Sequence, residues 1–272
     1  MSPKTQLFPR WALFNKGLAI MIRSNISLGL ILFQFLLTVG VAAGQSEPDM
    51  NDFRIDIDIY DDEKKPPVNS VQTIFSAGQY IELDDAKGRI TVVDPGHGQI
   101  TILDSKRKSF VRLEMADIEM QLNQVRSEMT PDQLRKFSSD GDPVIESGNY
   151  VSIGNDWFRY KFRPVTPVNP NMASSYGDFA NWSARVNARY YNAPPFIRMQ
   201  LNQMLMDQRQ LPAELRRLTV VPSKTDTPGR KEEIVARLIV KESLSENDRT
   251  RVASVLKSID EYKKTTDKEF FR

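Results

Sequence analysis

From Phe53 to Leu113 the chain is a succession of runs too short for helices, each closed by turn chemistry. That cadence restricts this part to an antiparallel sheet. The first run alternates strictly, with Phe53, Ile55, Ile57 and Ile59 on one face and Arg54, Asp56 and Asp58 on the other. Such alternation marks a half-buried strand whose acidic face meets water. Residues 61–70 are polar and proline-bearing and read as a loop. Runs at 71–75 and 80–83 follow, split by Gly78, then runs at 89–93, 99–103 and 109–113. The joints DDAKG (84–88), DPGHG (94–98) and DSKR (104–107) have hairpin composition.

Helical periodicity then interrupts the sheet. Ile118, Leu122, Val125 and Met129 recur at helical spacing. Thr130, Pro131 and Gln133 form a helix-start signature for a second, short helix with Leu134 and Phe137 inward. Strands are expected again at 149–154 and 157–163, the latter with Phe158, Tyr160 and Phe162 on one face and Trp157, Arg159, Lys161 and Arg163 on the other. Pro164, Pro167 and Pro170 close that strand and introduce a helical insertion over 164–215. One helix carries Phe179, Trp182, Val186 and Tyr190. A second opens at Ala193-Pro194-Pro195, carries Phe196, Met199, Gln203 or Met204, and Leu205 or Met206, and ends at Leu211-Pro212. Strands resume at 218–221 and 234–240, and the apolar continuity of the latter predicts cover on both faces. A cap at 245–248 starts a final helix with Val252, Val255, Leu256, Ile259 and Tyr262 on one stripe. The charged tail, 264–272, is expected to fray. The sum is an α+β fold: a curved antiparallel sheet, an incomplete barrel, covered by several helices in one domain over 53–263.

The N-terminus carries an address. Lys4, Arg10, Lys16 and Arg23 precede an apolar run at 26–41 and the small residues Val41, Ala42, Ala43 and Gly44. This is the pattern of an export signal over 1–44, cleaved after Ala43 or Gly44, with 45–52 as a linker. The same run also reads as an uncleaved anchor, because the uncharged stretch from Arg23 to Glu47 is long enough to cross hydrocarbon. The expected location is the periplasm or cell envelope, with membrane association through the N-terminal segment in the second reading. There is no cysteine, so neither a disulfide nor a lipidated cysteine is available, and the domain must rely on an ordinary core. Without the four N-terminal cations, 33 Lys/Arg face 35 Asp/Glu, a net charge of −2. That balance argues against a nucleic-acid partner.

Chemistry-bearing motifs are sparse. His97 is the sole histidine and sits in a hairpin tip, where turn composition explains it. One His and no Cys exclude the common zinc sites. The acidic groups at 61–63 and 84–85 lack the spacing of a calcium loop. Phosphate loops and the nucleophile elbow are absent. No catalytic residue, metal or cofactor is therefore assigned. A hydrolase using carboxylates alone would need convergent acids, at least one with a raised pKa. What remains is an aromatic concentration. Phe158, Tyr160, Phe162, Trp182, Tyr190 and Phe196 are the candidate lining of a pocket for an apolar or lipidic ligand. As core of a structural or interaction scaffold, the same residues would be tightly packed.

The stretches at 88–94 (GRITVVD) and 99–110 (QITILDSKRKSF) resemble the paired strands of lipoprotein-carrier (LolA/LolB-like) domains. The resemblance covers 53–163 and 216–241. It implies a curved sheet around an apolar space and a lipid or lipoprotein ligand, and it transfers no functional residue. The segment at 193–205 is similar to an insertion in exported bacterial proteins. The insertion at 164–215 departs from the carrier pattern, and its bulk could fill the cavity a carrier needs.

Overall fold

The computed structural model describes residues 52–139, 141–191, 195–221 and 230–271; the expected signal, nearly all of the linker, and Ala193 and Pro194 lie outside them. Strands β1 (Phe53–Tyr60), β2 (Asn69–Ser76), β3 (Gln79–Asp84), β4 (Arg89–Asp94), β5 (Gln99–Asp104) and β6 (Ser109–Glu114) pair in sequence order, all antiparallel. Helices α1 (Met115–Glu128) and α2 (Pro131–Phe137) follow, α2 with the expected Thr130–Gln133 capping box. The chain then lays down β7 (Val144–Glu146), β8 (Tyr150–Gly154) and β9 (Phe158–Val165), and helices α3 (Asn171–Tyr191) and α4 (Phe196–Asp207). Strands β10 (Leu211–Val221) and β11 (Arg230–Lys241), helix α5 (Glu246–Glu261), β12 (Lys263–Lys264) and helix α6 (Asp267–Phe270) complete it. Because β11 pairs with the free side of β1, the two strand groups join into one sheet, ordered β12-β6-β5-β4-β3-β2-β1-β11-β10-β9-β8-β7. Among the described strands only β12 is parallel to its neighbour. The sheet is curved and open, with β12 and β7 at its edges, and with its helices it forms the expected α+β domain.

Register explains the two cores. One inner row runs Phe53, Phe75, Tyr80, Val93, Ile100, Leu113 across six strands, with every member buried. Phe53 stacks on Phe75 at 4.1 Å, and Phe179 of α3 meets Phe75 edge-on at 5.9 Å. Ile118, Phe179, Leu201 and Phe270 bring α1, α3, α4 and α6 onto this face. On the outer face Ile74, Ile81, Leu83, Val92, Leu103 and Phe110 meet Val252, Val255, Leu256, Ile259 and Tyr262, the expected stripe of α5. Strands with helices on both faces need apolar residues at successive positions, which is why Leu103 and Ile102 are both buried.

Four expectations change. Pro164 lies inside β9 opposite Pro212, where the β9–β10 register shifts; a bulge tolerates two residues that cannot donate. Strand β10 starts at Leu211, so the helical insertion is shorter than 164–215. Cover of β11 on both faces fails at Ile239, which is 51% exposed, although Val235 on the same outer face is buried. The charged tail docks: β12 extends the β6 edge, and Phe270 is 2% exposed in the inner core. Two phenylalanines bury apolar surface that the lysine-rich composition conceals. Among the described residues no helix is long and apolar enough to cross a membrane.

Candidate binding surface

The six aromatics proposed as a pocket lining meet different partners. Tyr160 and Phe162, on the inner face of β9, are buried in the same core as Ile197, Leu201 and Leu205 of α4. Phe158 is half-buried and meets Tyr160 edge-on at 5.2 Å. Trp182 is half-buried, with the Arg185 guanidinium 4.5 Å from its ring centroid. Tyr190 stacks on Phe271 at 3.7 Å, and Arg126 lies 5.6 Å from the Phe196 ring centroid. Gly177 lets α3 approach α4 closely, since a Cβ there would fall 2.3 Å from Met206 Cγ. Asn202 donates to Asn181 at 2.9 Å across the same crossing. Among the described residues, two open hollows at α2 with the β8–β9 turn and at α4 with β8 have none of the six aromatics in their lining.

The outer face of β9–β11 carries an ion network rather than a helix. The β1–β2 loop folds across it, and Glu63 pairs with both Arg216 and Arg237. Glu214 lies beneath, accepting from Tyr150 Oη at 2.6 Å and Arg216 Nε at 2.7 Å. Burial alone would raise the Glu214 pKa, but these bonds and Arg237 hold it below the usual carboxylate range. The guanidinium of Arg216 also reaches Glu233 at 3.1 Å, and its pKa is raised despite desolvation. These pairings lock the loop to the sheet. Asp84 and Asp85 are similarly taken up by Lys87 and Arg251, and no cluster of three or more metal-ligating side chains occurs among the described residues. His97 is at the hairpin tip, with Nδ1 2.9 Å from Asp94.

One carboxyl stands apart. Glu82 sits on the inner face of β3, directly opposite Thr73 of β2 and Thr91 of β4. It is half-buried and has no hydrogen-bond or ion-pair partner among the described residues. Burial and the adjacent Asp84 push its pKa up to about 7, against Lys87 and Arg89. Asp84 is displaced the other way: burial raises it, but bonds from Lys87 at 2.8 Å and Asn69 at 3.1 Å outweigh that. Two acids with pKa values pushed apart are what acid–base catalysis requires. However, neither surface hollow is lined by this pair.

A further surface feature lies at the β8–β9 turn. An open hollow of ≈ 400 Å³ is lined by Asp132, Arg135 and Lys136 of α2 and by Asn155, Asp156 and Trp157 of the turn. Trp157 is 45% exposed, and the Lys136 ammonium stands 5.5 Å from its ring centroid. Both walls are held by Asn155, which is 4% exposed. Its Nδ2 donates to the carbonyls of Lys136 and Ser138 at 2.9 and 2.8 Å, and more weakly to that of Arg135 at 3.3 Å. Its Oδ1 accepts from the backbone N–H groups of Trp157 and Phe158, both at 2.9 Å. Gly154 precedes it at φ +139°, and a Cβ there would lie 2.3 Å from the Phe158 carbonyl oxygen. Strand alternation sets Trp157 on the face of Arg159, Lys161 and Arg163, apart from the six candidate lining residues. The available signal was Gly154-Asn155-Asp156, a turn tripeptide directly before the tryptophan. The chain matches no protein-family model and no curated protein.

Proposed function

We propose that this is an exported, non-enzymatic protein of the cell envelope that works as an interaction scaffold through its outer surfaces, with the central aromatics serving as core. The observation that carries this reading is the position of α4. Ile197, Leu201 and Leu205, each at most 1% exposed, occupy the inner face beside Tyr160 and Phe162, where a carrier would need open space. Interiors are close-packed, so side chains already in contact leave little room for an acyl chain. Export is supported by the basic start, apolar run and small-residue exit of residues 1–44. An apolar-ligand carrier, the function implied by the resemblance to lipoprotein-carrier domains, is the second reading. It draws on the partial exposure of Phe158, Trp182 and Phe196.

The test is native mass spectrometry of the full gene product recovered from a bacterial envelope. The expected spectrum shows a chain beginning at Gly44 or Gln45 without a lipid-sized adduct. A discrete adduct that survives purification and is lost in Trp182→Ala would replace the scaffold with the carrier. An intact N-terminus would replace cleavage with anchoring.

A further inference from the structure

We propose that the hollow between α2 and the β8–β9 turn is a binding site for a neutral carbohydrate, with Trp157 as its stacking platform. The inference rests on the reading of this protein as a surface binder and supplies a ligand class for it. Three observations converge.

The first is preorganisation. The Trp157 indole is 45% exposed, yet its turn is held from below by a buried asparagine whose amide satisfies five backbone groups. The turn is tied further by Asn155 N–H to the Phe158 carbonyl at 3.0 Å and by Val220 N–H to the Trp157 carbonyl at 2.9 Å. Because Asn155 also grips the C-terminal carbonyls of α2, the two walls keep one spacing. A site whose geometry is fixed before binding loses less entropy when a ligand arrives.

Charge is the second. Asp132 and Asp156 stand with Arg135 and Lys136 around the rim, Asp132 paired to Arg135, and Asp156, whose side chain is 96% exposed, 3.7 Å from Arg159. With both acids engaged by arginines, the Lys136 ammonium is the charge left over at the rim, and a single charge suits neither a polyanion nor a polycation. A purely apolar ligand would strip water from these groups without replacing its hydrogen bonds.

The third is the match in chemistry. A pyranose presents an apolar C–H face to an aromatic ring and a rim of hydroxyls that donate and accept. Carboxylates accept from such hydroxyls, while guanidinium and ammonium groups donate to them. The volume of ≈ 400 Å³ lies in the range of small-ligand sites. Lys136, whose ammonium stands 5.5 Å over the indole, would swing off that face as the sugar stacks and donate to a ring hydroxyl. Asn155 acts as a positioning residue, since its own bonds are taken up by the backbone.

The experiment titrates the full chain with a neutral tetramer of N-acetylglucosamine, following sugar ring protons by NMR and tryptophan emission in parallel. Ring-current upfield shifts of one sugar face are expected at millimolar concentration. Trp157→Ala should weaken binding about tenfold or more, as loss of an aromatic stacking partner does elsewhere. Trp157→Phe should retain part of it, and Trp182→Phe should change nothing. Circular dichroism and the unfolding midpoint confirm that each variant folds. The proposal is overturned by an absence of sugar shifts, by equal affinity in Trp157→Ala, or by Trp157-dependent binding to phosphatidylglycerol vesicles without sugar binding. A failed sugar titration alongside an adduct-free mass spectrum would remove this site and leave the scaffold reading in place.

Discussion

Replacing Glu82 by Gln should stabilise the protein at alkaline pH and leave it unchanged at acid pH. Glu82 is a half-buried carboxyl on the inner sheet face, flanked by Thr73 and Thr91, with Asp84, Lys87 and Arg89 as its charged neighbours. Burial, reinforced by Asp84, lifts its pKa from 4.5 to about 7. Between those values the native state holds a proton that the unfolded state has released. Stability therefore falls as pH climbs through that window, and the full penalty is present above it. At about 1.36 kcal/mol per pH unit the ceiling is roughly 3 kcal/mol. Solvent reaching part of the carboxyl reduces this to about 1–3 kcal/mol. Gln keeps the shape and cannot ionise, so it removes the penalty only where Glu is charged. Urea unfolding followed by tryptophan emission at about pH 4 and pH 8 measures both limits. Identical stabilisation at the two values, or a loss at the higher one, would refute the assignment of a strained carboxylate to this position.

Three other perturbations probe the rest of the framework. Gly154→Ala should cost about 3 kcal/mol or more, because its φ of +139° and the 2.3 Å approach to the Phe158 carbonyl both oppose a Cβ; thermal unfolding reads this, and a loss below 1 kcal/mol would contradict the turn geometry. Phe270→Ala should cost about 3–5 kcal/mol in urea unfolding, since the side chain is 2% exposed in the inner core; a tail that frays instead would make the change silent. Glu214→Gln should cost about 1–3 kcal/mol at neutral pH through its bonds to Tyr150 and Arg216. The Glu214 pKa is depressed, so its contribution is present above about 4.5 and lost as pH falls through the folded value; acid titration of stability should accordingly be flatter in the variant.

Much of the fold was readable locally. The alternation at Phe53–Tyr60, the glycine-bearing joints and the caps at Thr130 and Ser245 each specify their element within about ten residues, and each element forms. The candidate site was less legible. Exposure of Trp157 depends on Asn155 bridging α2 to the next turn, a link between residues 17 to 20 positions apart. Ile239 and Val235 are both apolar residues on one face of β11, and only the path of the distant chain leaves the first uncovered.

The sequence by itself determined the α+β class, the meander and its turns, the helix starts, the lack of cysteine chemistry and the absence of a familiar catalytic motif. These follow from periodicity, turn residues and composition, which act over short distances along the chain. The tertiary structure alone decided how β11 joins β1, which helix covers which face, and where the tail docks. It also decided that Glu63 meets Arg216 across 153 positions, Arg107 meets the Phe270 carbonyl across 163, and Arg54 meets Asp248 across 194. Burial and charge pairing depend on what arrives from elsewhere in the chain, so the same aromatic pattern is compatible with a filled core or a pocket until the packing is known.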